Sequence, residues 1–316
     1  MPFTLDELNA LTNTYVLGQP TDILFTSNVL LMKLMATKRT VPGGKKIDVT
    51  LEHGEANSGR YGNTTILPVT KTETHNKAEF EWGGYYAAQT VDLDDRVMNN
   101  GDAALVKLVS SKFGNMQKTM KKKMGAGIYL NDVDSETGIR GFTGLDLLFN
   151  SNTSTAYGGI TEAAVPVWKA NNSSSATAAN FAGFQAIRLP AIVDTTTEGQ
   201  PDLYLTTVTL RDAFTNSLQA QVRYQDAALA AKGFSNILFD GAPVVADLNQ
   251  TADRVDALNT RFLEFVSHSD FDFTTPKWEA DRRQPDIWTA NIRWIGQLCC
   301  MHRKAHSRFT AVSAPT

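Results

Sequence analysis

Two stretches in which apolar and charged residues alternate, KKIDVTLEH and KAEFEWGGYY, flank a turn-rich segment, GEANSGRYGNTT. Side chains of a strand point to opposite faces with a period of two. Ile47, Val49 and Leu51 therefore share one face of the first stretch. Ala78, Phe80 and Trp82 share one face of the second, with Lys77, Glu79 and Glu81 opposite. Pro42, Gly43 and Gly44 break the pattern that precedes them. The alternation predicts a long two-stranded arm from about Thr40 to Gln89. A two-stranded ribbon alone is marginal in water, so this one must lie on other protein. If its own chain does not supply that surface, a neighbouring subunit must.

At 316 residues the chain exceeds the roughly 250 residues at which a single core stops growing, which implies two or more structural units. A hydrophobic content of 42% and a charged content of 20% belong to an ordinary folded protein. The net charge of −3 argues against general polyanion binding, but the charge is uneven. From Ala103 to Leu130 there are six lysines and no acid, and Ile287 to Thr316 carries Arg293, Arg303, Lys304 and Arg308, again with no acid. Such runs are ordinarily solvated faces and less often surfaces facing nucleic acid. The N-terminal MPFTLDELNALTNTYV has acids where an export signal has positive charge. The most apolar run, NVLLMKLMA, is interrupted by Lys33 and is far shorter than the roughly 20 residues of a spanning helix. Two cysteines fit a reducing compartment better than a disulfide scaffold. These features read as a protein made in a cytoplasm, with no membrane partner.

The longest periodic stretch follows VDLDDRVMNNGD. Leu105, Val109, Phe113, Met116, Met120 and Met124 recur at spacings of four, four, three, four and four, one continuous helical stripe. The spacing predicts a helix from Asp102 to Met124, on the order of 35 Å long, closed by Gly125 and Gly127. Lys107, Lys118, Lys121 and Lys122 fall on the opposite side. The methionines suit core packing along a long helix, or an adaptable binding surface.

The middle third is Ser/Thr/Asn-rich in SNTSTAYGG and KANNSSSATAANF, a texture of surface loops and helix starts. A helix is expected from about Ala176 to Val193, disturbed by Pro190. QPDLYLTT reads as a strand. TLRDAFTNSLQAQVRY reads as a helix with Leu210, Phe214, Leu218 and Val222 four apart, and FSNILFDGAPVVAD as two short strands joined at DGAP. This alternation implies a compact α/β unit over about Gly141–Asp253. The last sixty residues turn to strands. In the final run Trp288, Ala290, Ile292, Trp294, Gly296 and Leu298 share one face, and Thr289, Asn291, Arg293 and Gln297 the other.

The run WIGQLCCMHRKAH holds both cysteines and two of the five histidines. If the strand continues through it, Cys300, His302, Lys304 and His306 share a face while Cys299, Met301 and Arg303 point away. Adjacent cysteines cannot supply the C-x₂₋₄-C bite of a zinc site, and their Cα atoms, about 3.8 Å apart, are too close for a favourable disulfide. Arg303 and Lys304 could activate a thiol, but a plain strand is the better reading. NDVDSETGIRGFT places Asp132, Asp134 and Glu136 like a calcium loop, yet Gly138 falls one place late and Thr143 stands where glutamate is needed. GFSNI at Gly233 lacks the second glycine of a nucleophile elbow, and GAGIYL at Gly125 completes no phosphate-binding motif. Asp92, Asp94 and Asp95 precede the long helix, where they complement its dipole. No acid, base and nucleophile come together, so no catalytic, cofactor-binding or metal residues are assigned.

The order of parts is more informative. A short arm, a long hairpin, a long amphipathic helix, an α/β unit and closing strands together resemble the tailed-bacteriophage major capsid proteins of the Hong Kong ninety-seven type. So does local phrasing such as PDLYLTTVTLRDAF, GFSNILFDGAPVVAD, LNTRFLEF and IRWIGQLCCMHRKAHSRF. The resemblance implies an α+β capsid fold with an N-terminal arm over residues 1–39 and an extended E-loop hairpin over 40–90. A P domain with its spine helix would occupy 91–140 and an A domain 141–253, with C-terminal strands over 254–316 returning to the P domain.

The resemblance further implies a virion protein, not an enzyme, that assembles in the host cytoplasm into hexamers and pentamers of an icosahedral head. Its partners would be other copies of itself, a portal, scaffold or cement proteins, and packaged double-stranded DNA bound without sequence specificity. Because the chain begins almost directly with the arm, a separate scaffold or none is expected, or else a mature form. Some members cross-link a lysine to an asparagine. Lys71 and Lys77 lie in the hairpin, but nothing around them identifies a partner. Lys107, Lys118, Lys121 and Lys122 would form a basic face towards the lumen or a neighbouring subunit. An encapsulin shell is the alternative, an α/β enzyme a more remote one, and a tail-tube subunit would lack the long helix.

Overall fold

A computed structural model describes residues 28–63, 66, 70–94, 102–133, 140–194, 196–218, 236–274 and 277–314. The first half of the chain carries helix α1 (Val29–Ala36) and strands β1 (Arg39–Val41), β2 (Ile47–Glu52), β3 (His75–Phe80) and β4 (Gly83–Val91). Helix α2 (Asp102–Gly127) and strands β5 (Asn131–Val133) and β6 (Arg140–Thr143) follow. The second half adds β7 (Asn171–Ser173), β8 (Thr177–Ala178), α3 (Phe181–Arg188), β9 (Leu203–Thr206), α4 (Val208–Ser217), β10 (Asn236–Phe239) and β11 (Ala242–Ala246). It closes with β12 (Val255–Leu258), β13 (Leu263–His268), β14 (Glu279–Ala280), β15 (Trp288–Cys300), β16 (Ser307–Phe309) and β17 (Val312–Ser313).

The chain divides into two compact units. The first comprises Met1–Gly43, Trp82–Gly144 and Phe265–Leu298. Its sheet runs β1–β13–β15–β14, with β4 also paired to β15 from Trp288↔Val91 to Gly296↔Gly83. Alternation along β15 buries Trp288, Ala290, Ile292, Trp294 and Leu298 as the pattern requires. Trp294 stacks on Phe265 at 5.1 Å and meets Phe142 at 5.3 Å, while Phe142 N–H donates to the Tyr85 hydroxyl at 3.0 Å. Gln297, expected on the polar face, is fully buried, where its carbonyl accepts from Thr143 N–H at 2.6 Å and saturates a backbone donor. Helix α2 lies on β4 and buries Val109, Phe113, Met116, Met120 and Met124, the stripe read from the sequence. The side chain of Leu105 lies outside the described residues. The helix runs through Gly125 and ends at Gly127. Asn28 caps α1 by accepting from Leu31 N–H at 2.9 Å.

The second unit comprises Gly44–Glu81, Leu145–Glu264 and Cys299–Thr316. Its mixed sheet runs β10–β11–β9–β12–β16–β7 and packs against α3 and α4. Phe184, Phe214, Tyr204 and Phe239 form the aromatic centre, with Phe184 and Phe214 4.2 Å apart. Asp240 (φ 50°) and Gly241 (φ 80°) turn β10 into β11, the left-handed pair a two-residue hairpin demands.

Four expectations differ from the structure. The helix expected over residues 176–193 is confined to Phe181–Arg188, because Thr177–Ala178 pairs with β17 and Asn180 caps the helix by accepting from Gly183 N–H at 2.9 Å. Pro190 lies in a separate 3-10 turn, Leu189–Ala191. The ribbon ladder covers only β2 and β3, since residues from Gly83 onward pair with β15. The strand through the cysteines stops at Cys300, and residues 303–305 form a 3-10 turn that breaks the alternation. The helix expected to reach Val222 is observed over Val208–Ser217, and residues 219–235 lie outside the described residues.

Candidate assembly interface

The ribbon pairs β2 with β3 from Ile47↔Phe80 to Glu52↔His75. One face is apolar, with Ile47, Val49, Leu51, Ala78 and Phe80 buried. On the other face Lys46 Nζ meets Glu79 Oε2 at 2.8 Å and Lys77 Nζ meets Asp48 Oδ2 at 2.8 Å. The hydrogen bond to Lys46 holds the Glu79 carboxyl below the ordinary carboxylate range, and the same partnerships raise both lysines. These opposite-charge pairs favour one register.

The base of the ribbon is seated on its own chain. Tyr157 and Ile160 exchange backbone hydrogen bonds of 3.0 and 3.2 Å around Gly158 (φ 60°) and Gly159 (φ 75°). The Gly158 carbonyl accepts from Glu79 N–H at 2.8 Å, and a Cβ at Gly158 would stand 2.9 Å from that of Ala78. Phe80 meets the Tyr157 ring edge-on at 5.3 Å. Tyr157 in turn lies under the Arg303 guanidinium, 5.1 Å from the ring centroid.

Arg303, 2% exposed, donates from Nε to Leu148 O (2.8 Å), from Nη1 to Trp168 O (3.1 Å) and from Nη2 to Asn150 O (2.8 Å). Burial pulls its pKa below the usual arginine value, and the carbonyl dipoles take the place of a counter-ion. A neighbouring subunit is therefore not needed beneath the base. Towards the tip the situation differs: Tyr61 is 74% and Ile66 93% exposed. Lys77 is engaged with Asp48 and Glu79, and Lys71 is exposed.

Cys299 and Cys300 are both free and fully buried. Cys300 Sγ lies 3.5 Å from His306 Nε2, a pairing that the broken strand creates. Burial pushes the Cys300 thiol up to about 12 and His306 down to about 3, so neither group carries charge near neutrality. Arg303, read as pointing away from this face, is the buried hub described above. Neither it nor Arg308 stood out in the sequence, because a basic residue looks the same whether solvated or buried. Among the described residues no group of three or more His, Cys, Asp or Glu could hold a metal ion. Asn131 and Thr143, the ends of the calcium-loop candidate, pair as strand residues, and its Asp134, Glu136 and Gly138 lie outside the described residues, as do Asp95 and Gly233. Asp92 and Asp94 are exposed. No helix among the described residues is long and apolar enough to cross a membrane.

A cavity of about 380 Å³ opens between α3, α4 and the β10–β11 turn. Phe181, Phe214, Leu218, Leu238 and Phe239 line it, with Gln185 and the Arg188–Asp240 ion pair as its polar side chains. Among the described residues its lining carries one carboxylate, Asp240, held by the Arg188 guanidinium, and no Ser, Cys, His or Lys. Of the four lysines predicted on the free side of α2, Lys107, Lys118 and Lys122 are exposed. Lys121 is half-buried at the edge of the packed stripe, and burial lowers its pKa.

No family model matches the chain, and no curated protein matches it in sequence. Solved structures do match. The chain superposes on the capsid of cyanophage A-1(L) with a TM-score of 0.70 at 17% identity, covering 92% of this chain and 93% of that one. It matches the capsid of a native GTA particle with a TM-score of 0.57 at 12% identity, covering 89% and 90%. It matches the SrpI encapsulin of Synechococcus elongatus PCC 7942 with a TM-score of 0.52 at 10% identity, covering 90% and 88%. With its ribbon, long helix and mixed α/β unit, the chain has the Hong Kong ninety-seven type fold of the tailed-phage capsid proteins.

Proposed function

We propose that copies of this chain build an icosahedral phage head, assembling as hexamers and pentamers around double-stranded DNA. The observation that carries the reading is the likeness of nearly the whole chain to the cyanophage capsid. The ribbon supports it, since the tip exposes Tyr61 and Ile66, apolar surface that contact with another copy would cover. In this reading the ribbon within residues 40–90 laps a neighbour through its tip, 91–140 form the peripheral domain, 141–253 the axial domain, and 1–39 an arm, while the strands of 254–316 that lie within Phe265–Leu298 return to the peripheral domain. The protein is a virion component assembled in the host cytoplasm, catalyses nothing, and meets a portal and scaffold or cement proteins during assembly. Negative-stain electron microscopy with sedimentation tests the reading. Closed shells or rings of five and six support it, and a homogeneous monomer or dimer under all conditions refutes it.

An encapsulin-type compartment is the second reading, favoured by the match to the SrpI shell but at a lower TM-score than that of the cyanophage capsid. The contents of particles recovered from the natural source discriminate: packaged double-stranded DNA supports the phage head, and an enclosed enzyme the compartment.

A further inference from the structure

We infer that the solvent face of α2 contacts the phosphate backbone of double-stranded nucleic acid, without reading its sequence. The ligand is taken from the shell reading above, but the binding measurement stands apart from it. Lys107, Ser111, Lys118 and Lys122 are exposed and lie at i, i+4, i+11 and i+15. At 100° and 1.5 Å per residue they form one row about 22 Å long. Lys123 is exposed beside it. Among the described residues no carboxylate pairs with Lys107, Lys118, Lys122 or Lys123, and residues 103–130 contain no acid.

Lys118 and Lys122 are therefore like charges one turn apart on a helix, an arrangement that repels itself until something anionic lies across it. Ser111 within the row and the exposed Ser110 beside it are short hydroxyl donors of the kind that bond phosphate oxygens. Every Met and Phe of the helix lies in the buried stripe instead. Protein–protein contacts favour aromatic residues, Met and Arg and are depleted in Lys and Ser, so the composition of this face points to phosphate. Lysine is a point charge without the planar fork that reads guanine, which makes the contact indifferent to sequence. Packing of the opposite side on β4 fixes the direction in which the row points.

The test measures binding of the purified full-length protein to a random-sequence DNA duplex of about 25 base pairs between 50 and 200 mM salt, with assembly scored in parallel by electron microscopy. The variant is K107Q/K118Q/K122Q. Its control is K45Q/K169Q/K304Q, three exposed lysines outside the row with the same charge change. Each lost phosphate contact lowers the slope of log K against log salt by about 1. The row variant should therefore fall by about 3 in slope, while the control keeps the native slope. An unchanged slope in the row variant overturns the inference, as does an equal fall in the control. A variant that no longer assembles but binds DNA with the native slope assigns the row to a contact between copies, which also overturns it. If the native protein forms no shell, the proposed function fails, and the slope still decides the lysine row.

Discussion

Arg308 grips Asp256 with two parallel hydrogen bonds, Nε to Oδ1 at 2.6 Å and Nη2 to Oδ2 at 2.8 Å, with side chains only 2% and 0% exposed. Gln250 adds a third bond to Asp256 at 2.9 Å, and Arg308 also reaches Asp146, which Arg254 meets at 2.7 Å. Burial lowers the Arg308 pKa, but the fields and hydrogen bonds of Asp256 and Asp146 outweigh it and hold the guanidinium above its usual value. Removing one partner strands a buried charge, so Asp256→Ala should cost about 3–5 kcal/mol. The double change Asp256→Leu with Arg308→Met should recover most of that loss, because it strands no charge. Urea midpoints of the unassembled protein measure both. Equal losses in the single and double variants would contradict this account.

Arg303→Lys should destabilise by about 2–3 kcal/mol, because an ammonium cannot span carbonyls that a guanidinium fork reaches together. The loss should also reach the ribbon through Tyr157 and Gly158. Hydrogen exchange at the Glu79 amide, which donates to Gly158, should accelerate in the variant while core amides of β9 change less.

Gly158 and Gly159 share a left-handed conformation but not surroundings. A Cβ at Gly158 would meet Ala78 at 2.9 Å, whereas nothing lies within 4 Å of one at Gly159. Gly159→Ala should therefore cost about 1 kcal/mol, from backbone strain alone. Gly158→Ala should cost about 2–3 kcal/mol. Thermal unfolding of the two variants side by side gives the comparison, and equal shifts would refute the seat.

The protein should lose stability in mild acid through His306. Its Nδ1 accepts from Asn259 N–H at 3.2 Å, so the folded ring has no place for a second proton. Burial, with the nearby His302 adding to it and Asp202 opposing, holds its pKa down to about 3 against an ordinary 6.5. Unfolded chains bind that proton near 6.5 and folded ones do not. Stability is therefore full above that pH and declines as pH falls towards 3, by about 2–3 kcal/mol at pH 4.5. His302, also lowered by burial, adds in the same direction. Urea unfolding from pH 7 to 4.5 should show this slope, and His306→Gln should reduce it by close to one proton.

Ile66→Asp and Tyr61→Ser should leave the unassembled protein's unfolding free energy within about 0.5 kcal/mol of native, since both side chains are exposed. Under the proposed function they should sharply reduce the assembled fraction by sedimentation. Normal assembly would remove the tip from the interface.

What could be read from the sequence was local and periodic. The α2 stripe, the β2 and β3 faces and the Asp240–Gly241 turn each follow from residues close together in the chain. The misreadings came from distance. Nothing within GGYYAAQTV announces a ladder partner some two hundred residues later, so β4 was assigned to the ribbon. Cys300 and His306 meet because a 3-10 turn folds the chain back, which strand alternation cannot foresee. Arg303 and Arg308 were counted with the surface charge, since burial is a property of what surrounds a residue. Asn171 belongs here too: its amide bonds the carbonyls of Pro190, Lys304 and His306 at 2.9, 2.8 and 3.1 Å, yet it lies in a stretch that reads as loop.

The turn beneath the ribbon offers Glu79 a peptide carbonyl and Ala78 a bare Cα surface, both main chain. Peptide geometry is common to every residue type, so this support is nearly blind to composition. The side chains of the arm can be exchanged over evolution while its pitch stays fixed, provided the glycine remains. A scaffold dimensioned by its backbone keeps its shape after its wording has drifted beyond what sequence comparison can follow.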